Sequence, residues 1–174
     1  ITVDLSDMFH NLVSKMIAEK LDNPLASANS KSRLRMVTLY HVATALNGMV
    51  VGTGNKVEDF GVGFYTKYGD GGVDISPLAD MTKTQVRQAA KILGVANIII
   101  EAPPTDGLWE DSRSDESQIG ASYEELEWAM DHLANVQPAD LTERQQEVLK
   151  IYNSFHQKNK HKMVGIPVFK MPKL

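Results

Sequence analysis

The stretch that decides the fold is Met49-Val50-Val51-Gly52-Thr53-Gly54-Asn55-Lys56-Val57-Glu58-Asp59. Its apolar head, 49–51, comes after a helix-stopping Asn47-Gly48 pair and fits a strand buried on both faces, as in a parallel sheet. The residues from Gly52 to Asp74 are polar and glycine-rich. A connection of that length inside a compact domain is usually functional or disordered. Open α/β sheets bind ligands just beyond their strand ends. One stretch therefore predicts a layered α/β fold and the place of its site.

Working outward, Ile1 to Leu5 alternates apolar and polar residues and reads as a short strand. Ser6 reads as the cap of a helix carrying Phe9, Leu12, Val13, Met16 and Ile17 on one face. Asp22-Asn23-Pro24 reads as a break, and a second helix is expected from about Ser30 to Leu46, with a stripe of Met36, Leu39, Tyr40, Ala43 and Leu46. Capping boxes at Thr82–Gln85, Ser122–Glu125 and Thr142–Gln145 open three more helices. The last should turn Val148, Leu149, Tyr152 and Phe155 inward. Asn97 to Ile100 is a further apolar run, closed by Pro103-Pro104. Only two or three strands are visible, against about five or six in an average sheet. Strands that a parallel sheet needs are thus expected to be missing from these residues.

The 174 residues suffice for one domain with a real core, taken as 1–174. A net charge of −4 excludes bulk attraction to nucleic acid or an anionic membrane, and no apolar run approaches a membrane span. No cysteine is present, which removes disulfides, thiolate metal sites and cysteine nucleophiles and is compatible with the cytoplasm. Ten acidic residues and one basic, Arg113, lie between Glu101 and Asp131, while five lysines and no acid lie from Lys158 onward. Both blocks read first as solvated surface. The chain opens at Ile1 rather than Met, as a piece of something longer would.

Several familiar motifs fail. Gly52-Thr53-Gly54-Asn55-Lys56-Val57 starts like a dinucleotide fingerprint, but Val57 stands where the third glycine belongs. No Walker-type loop and no nucleophile elbow exist. Asp70 to Asp74 begins like a calcium loop, yet its twelfth position is Met81. The histidines show no zinc-protease spacing, and His41 reads as structural. What survives is a constellation: Thr53 and Glu58 beyond the strand, Lys67, Asp74 and Lys83 further on, and Thr105 after the next apolar run. A hydroxyl and a carboxylate near one strand end can hold magnesium and nucleotide phosphates, and lysines bind phosphate as point charges.

At these residues the chain resembles the ammonia-dependent NAD synthetases, within the wider group of N-type ATP pyrophosphatases. The resemblance rests on "SRLRM" (32–36), "VVGTGNKVED" (50–59), "GFYTKYGDGGVDISPLADMTKTQVR" (63–87), "PPTDGLWED" (103–111), "DESQIGASYEELEWAM" (115–130) and "HKMVGIP" (161–167). It implies a Rossmann-like, adenine nucleotide alpha hydrolase-like parallel sheet flanked by helices. It also implies amidation of deamido-NAD by ATP and ammonia, through an NAD-adenylate, in a cytoplasmic homodimer. Residue by residue, Thr53, Lys83 and Thr105 would contact ATP, and Glu58 would be a magnesium ligand. Arg33, Lys67, Asp74 and the pair His161-Lys162 would hold deamido-NAD, with Lys83 and Asp74 closest to the chemistry. Glycines 69, 71 and 72 would let the backbone pass close to that ligand; Asp70 has no implied role. The long second helix and the acidic helix after Ser122 are the expected interface elements, or else pack within one subunit.

Two departures stand out. The spacing from Glu58 to Lys67 is one residue longer than in the bacterial pattern. The family's pyrophosphate loop, S-G-G-x-D-S, occurs nowhere in the 174 residues, which resemble the C-terminal two-thirds of the enzyme. The chain by itself is therefore expected to lack its N-terminal strands and to be inactive. A GMP synthetase-like amide ligase and a non-catalytic fragment that binds deamido-NAD or dimerises are the alternatives.

Overall fold

The structure, a computed structural model, describes residues 1–135 and 140–172. Among them it is mainly helical: α1 (Ser6–Ala18), α2 (Pro24–Ala45), a π-helical segment (Lys56–Val62), α3 (Lys83–Ile92), α4 (Asn97–Ile100), α5 (Asp115–Ile119), α6 (Tyr123–Asn135) and α7 (Glu143–Met163). No helix among the described residues is long and apolar enough to cross a membrane.

The expected strands are where reading and structure part. Residues 1–5 form no strand: Ile1 is 96% exposed and nothing pairs with its backbone. Asp4 Oδ1 accepts from the Ser6 amide at 2.8 Å, so Ser6 is the first helical residue rather than the cap. At 49–51 the extended chain makes a single parallel bridge, Val51 to Ile75, flanked by Asp74 N–H to the Val50 carbonyl (2.9 Å) and Gly52 N–H to the Ile75 carbonyl (2.8 Å). Val50 is buried, but Met49 and Val51 are exposed. A parallel strand is buried on both faces only where helices cover both, and here Met49 and Val51 lack that cover while one edge is bridged. Asn97 to Ile100 is a helical turn whose Ile98 and Ile99 face solvent.

The helix starts are set by local chemistry. Thr82, Ser122 and Thr142 each exchange hydrogen bonds with the residue three positions on, as their capping boxes predict. Helix α2 begins earlier than expected. Asn23 caps it by accepting from the Ala26 amide at 2.9 Å, and Pro24 occupies the first turn, where its missing N–H costs nothing. Asp22-Asn23-Pro24 does separate the two helices, since α1 ends at Ala18, and its last two residues also start α2. The expected stripe is not buried either: Leu39 and Leu46 are exposed, while the small Ala28 and Ser32 face inward.

The core lies between the π-helical segment, α6 and α7. Val57 and Val62 meet Ile119, Ala121, Leu126, Ala129, Val148 and Tyr152, with Phe64, Leu149 and Phe155 packed around them. The wide turn sends Val57 and Val62 inward while Glu58 and Asp59 face the opposite side. Asn55 opens it by accepting from the amides of Val57 and Glu58. Gly63 closes it at φ +62°, and a Cβ there would lie 2.6 Å from Asn159 Cβ. Residues spaced by three on α7 then meet the exit of the turn: His156 Nδ1 lies 2.7 Å from the Gly61 carbonyl, Asn159 Nδ2 donates to Val62 and Lys162 Nζ to Gly63.

Candidate active site

A cavity of about 920 Å3 opens between α2, the π-helical segment, the start of α3, α5 and the end of α7. Thr53, Glu58, Lys83, Thr105, His161 and Lys162 line it. Arg33, Lys67 and Asp74 stand outside its wall.

At one end the residues are acidic. Lys83 is the first residue of α3, so the Thr82 capping box fixes the backbone from which its side chain leaves. Its Nζ pairs with Glu58 Oε1 at 2.8 Å and lies 4.8 Å over the ring of Tyr123. The hydroxyl of Tyr123, fully buried, donates to the same Glu58 oxygen, and Asp115 Oδ2 lies 3.2 Å from it. Asp115 is 8% exposed, and its Oδ1 is buried without a hydrogen-bond partner. Burial, and then the neighbouring Glu58, push the Asp115 carboxyl above its ordinary range. The same two causes push the Tyr123 phenol up. Asp59, beside Gly54, is pushed up to about 6 by burial first and then by Glu58 and Asp70.

At the other end the residues are basic. Arg33 Nε and Nη2 donate to the Lys67 carbonyl at 3.3 Å, and Lys67 Nζ donates to the His161 carbonyl at 2.6 Å. Lys162 Nζ donates to the carbonyls of Gly63 and Tyr65 at 2.9 and 2.7 Å. Burial draws its ammonium below the usual lysine range. None of the three cations pairs with a carboxylate among the described residues. Such a cluster leaves positive charge for an anionic ligand.

The glycine loop between them is held by Asp70. Ser32 Oγ donates to Asp70 Oδ1 at 2.7 Å, the Thr66 amide donates to the same oxygen at 3.0 Å, and the Asp70 amide donates back to Ser32 Oγ at 2.9 Å. Gly69 passes so close to Ser32 that a Cβ would collide with its Oγ. Asp70 thus has a structural role, and the close approaches at Gly69, Gly71 and Gly72 are to Ser32, Tyr65 and Met36. Asp74 is spoken for by protein: Tyr40 OH donates to its Oδ1 at 3.1 Å and the Val50 amide to its Oδ2 at 2.8 Å.

Among the described residues no three acidic or imidazole side chains cluster as a protein-only metal cage. A single site does suit a hard cation shared with phosphate. Glu58 lines the cavity and receives its donors at Oε1, and magnesium typically takes one or two carboxylates plus substrate phosphates.

Sequence reasoning missed Tyr123, Asp115 and Asp59. Asp115 and Tyr123 belong to "DESQIGASYEELEWAM", but Asp115 sits in an acidic block that reads as solvated, and it is buried. Nothing local marks a π-helical turn, so the register that turns Asp59 toward the cavity had no signal either.

The family model described as NAD synthase matches residues 1–165. An NH(3)-dependent NAD(+) synthetase of Finegoldia magna is 38% identical over 156 residues, covering 90% of this chain and 61% of that protein. The solved structure of an NMN synthetase from Francisella tularensis superposes with a TM-score of 0.82 at 27% identity, over 98% of this chain and 66% of that one. An NH3-dependent NAD synthetase from Campylobacter jejuni shares the fold, with a TM-score of 0.73 at 19% identity over 97% of this chain and 64% of that one. The chain spans 37% to 66% of the length of the curated relatives it matches.

Proposed function

The chain belongs to the NAD synthase family, and from that premise we propose that its site serves the ATP-dependent amidation of deamido-NAD to NAD, with ammonia as nitrogen donor. The observation that carries this reading is one cavity with a Lys83–Glu58 pair at one end and the His161–Lys162 pair at the other. Those are the two kinds of grip that a nucleoside triphosphate and an anionic dinucleotide require.

In the proposed reaction the nicotinate carboxylate attacks the α-phosphorus of ATP, and the bond to pyrophosphate breaks. Ammonia then attacks the acyl carbon, sheds a proton and displaces AMP. Lys83 places its ammonium against charge developing on the phosphates, while Thr53 and Thr105 contact the nucleotide. Glu58 is the residue that would hold magnesium, which when bound neutralises phosphate charge. Lys162 and the backbone held by Lys67 and Arg33 seat the dinucleotide phosphates. Asp74 serves the same ligand from behind the wall, by fixing the strand end through the Val50 amide. The sheet beyond the single 51–75 bridge, a homodimer built on α2 with its exposed Val37, Leu39 and Leu46, and a cytoplasmic setting all belong to this reading.

The backbone amides of an S-G-G-x-D-S loop, which cradle pyrophosphate in the family, are not among the 174 residues. We therefore expect the chain alone to bind its ligands without turnover. Calorimetry with deamido-NAD and with magnesium and ATP, each separately, tests the binding; failure to bind either overturns the reading. NAD formation by the chain alone would overturn the expected inactivity.

A second reading has its own support. The Francisella structure, alike over 98% of this chain, is named an NMN synthetase. On that reading the site amidates the mononucleotide, and the comparison of deamido-NAD with nicotinate mononucleotide in the same titration separates the two.

A further inference from the structure

Glu58 and Lys83 come from different elements 25 residues apart, and a third side chain ties them together. Tyr123, the first residue of α6, is fully buried, and its amide donates to Glu116 Oε1 at 2.9 Å. Its hydroxyl and the Lys83 ammonium converge on one oxygen, Glu58 Oε1. Its ring face lies 4.8 Å from Lys83 Nζ, so one side chain orients both members of the pair. Its hydroxyl donates to Glu58 and also lies in donor range of Asp115 Oδ2, 3.2 Å away on α5, so its one proton is shared between two carboxylates. Tyr123 thereby bridges the Asp115 and Glu58 carboxylates. Glu58 Oε1 takes both donors, the Tyr123 hydroxyl and the Lys83 ammonium.

We propose that Tyr123, anchored by Asp115, is the positioning residue that fixes the Glu58–Lys83 pair for nucleotide binding. This rests on the nucleotide reading of the site given above. A tyrosine that only fills the core would act through packing, independently of Glu58.

A double-mutant cycle distinguishes the two roles. ATP with magnesium is titrated into the chain carrying Tyr123→Phe, Glu58→Gln, both, or neither. Tyr123→Phe keeps the ring and removes the hydroxyl. It should weaken ATP about tenfold in the unsubstituted background and change it less than about twofold beside Glu58→Gln. Asp115→Asn keeps the volume and removes the acid. It should show a smaller loss, about threefold, again only when Glu58 is present. Equal weakening in both backgrounds, or none in either, overturns the proposal while the nucleotide reading stands. Absence of ATP binding by the unsubstituted chain overturns that reading and the proposal with it.

Discussion

Lys67 reaches across 94 residues of sequence to place its Nζ 2.6 Å from the carbonyl oxygen of His161. Arg33 holds the other end of Lys67 through its carbonyl. Three elements that carry basic groups, α2, the glycine loop and the end of α7, are thereby locked in one arrangement. Lys67→Ala should release the loop from α7 and weaken deamido-NAD about tenfold, with ATP affinity unchanged. Separate calorimetric titrations check this, and an unaltered affinity for deamido-NAD would refute it.

Ser32 and Asp70 form a reciprocal pair under the same loop. Ser32 is 4% exposed, so its loss leaves the Asp70 amide without a protein partner. Ser32→Ala should lower stability by about 1–3 kcal/mol. Urea unfolding would measure this, and a change in midpoint within error would count against the staple.

Asp59 sets a pH dependence. Its carboxyl rises from an ordinary 3.8 to about 6 in the folded chain, chiefly through burial. The folded state then binds more protons than the unfolded state between about pH 4 and 6. Stability is therefore gained as pH falls through that window and lost as it rises. Asp59→Asn should flatten the curve there by about one proton's worth of slope. Denaturant midpoints at intervals from pH 4 to 7 provide the test; an unchanged slope would assign the dependence elsewhere.

Thr82 links stability to the site, because its capping box starts the helix whose first residue is Lys83. Thr82→Ala should cost about 1 kcal/mol and loosen the Lys83–Glu58 pair. Unfolding curves would show the first effect and weaker ATP binding the second. In the core, Leu126→Ala should cost about 2–5 kcal/mol, since Leu126 is fully buried between the π-helical segment and α7.

The residues most legible in the sequence are those whose signal is local. Thr82 with Gln85, and Thr142 with Gln145, announce their helices because donor and acceptor lie three positions apart. Asn23-Pro24 carries the same kind of signal: it reads as a break and does lie between α1 and α2, and its proline also serves the first turn of α2. The run at 49–51 is legible as apolar and extended, but a strand is defined by its neighbours, and a single bridge pairs it.

By itself, the sequence determined the family and the capping boxes at Thr82, Ser122 and Thr142; of the site residues expected from it, Thr53, Glu58, Lys83, Thr105, His161 and Lys162 line one cavity, while Arg33, Lys67 and Asp74 lie outside its wall. Only the tertiary structure decided which acids are buried and what they touch. Asp115 looks like one charge in a solvated block until α5 and α6 place it against Tyr123, and Asp70 has no role until α2 brings Ser32 to it. The physical reason is range. Caps and motifs act over three or four residues, whereas burial and the joining of Tyr123 to Glu58 depend on contacts 65 residues apart, which form only when the core closes.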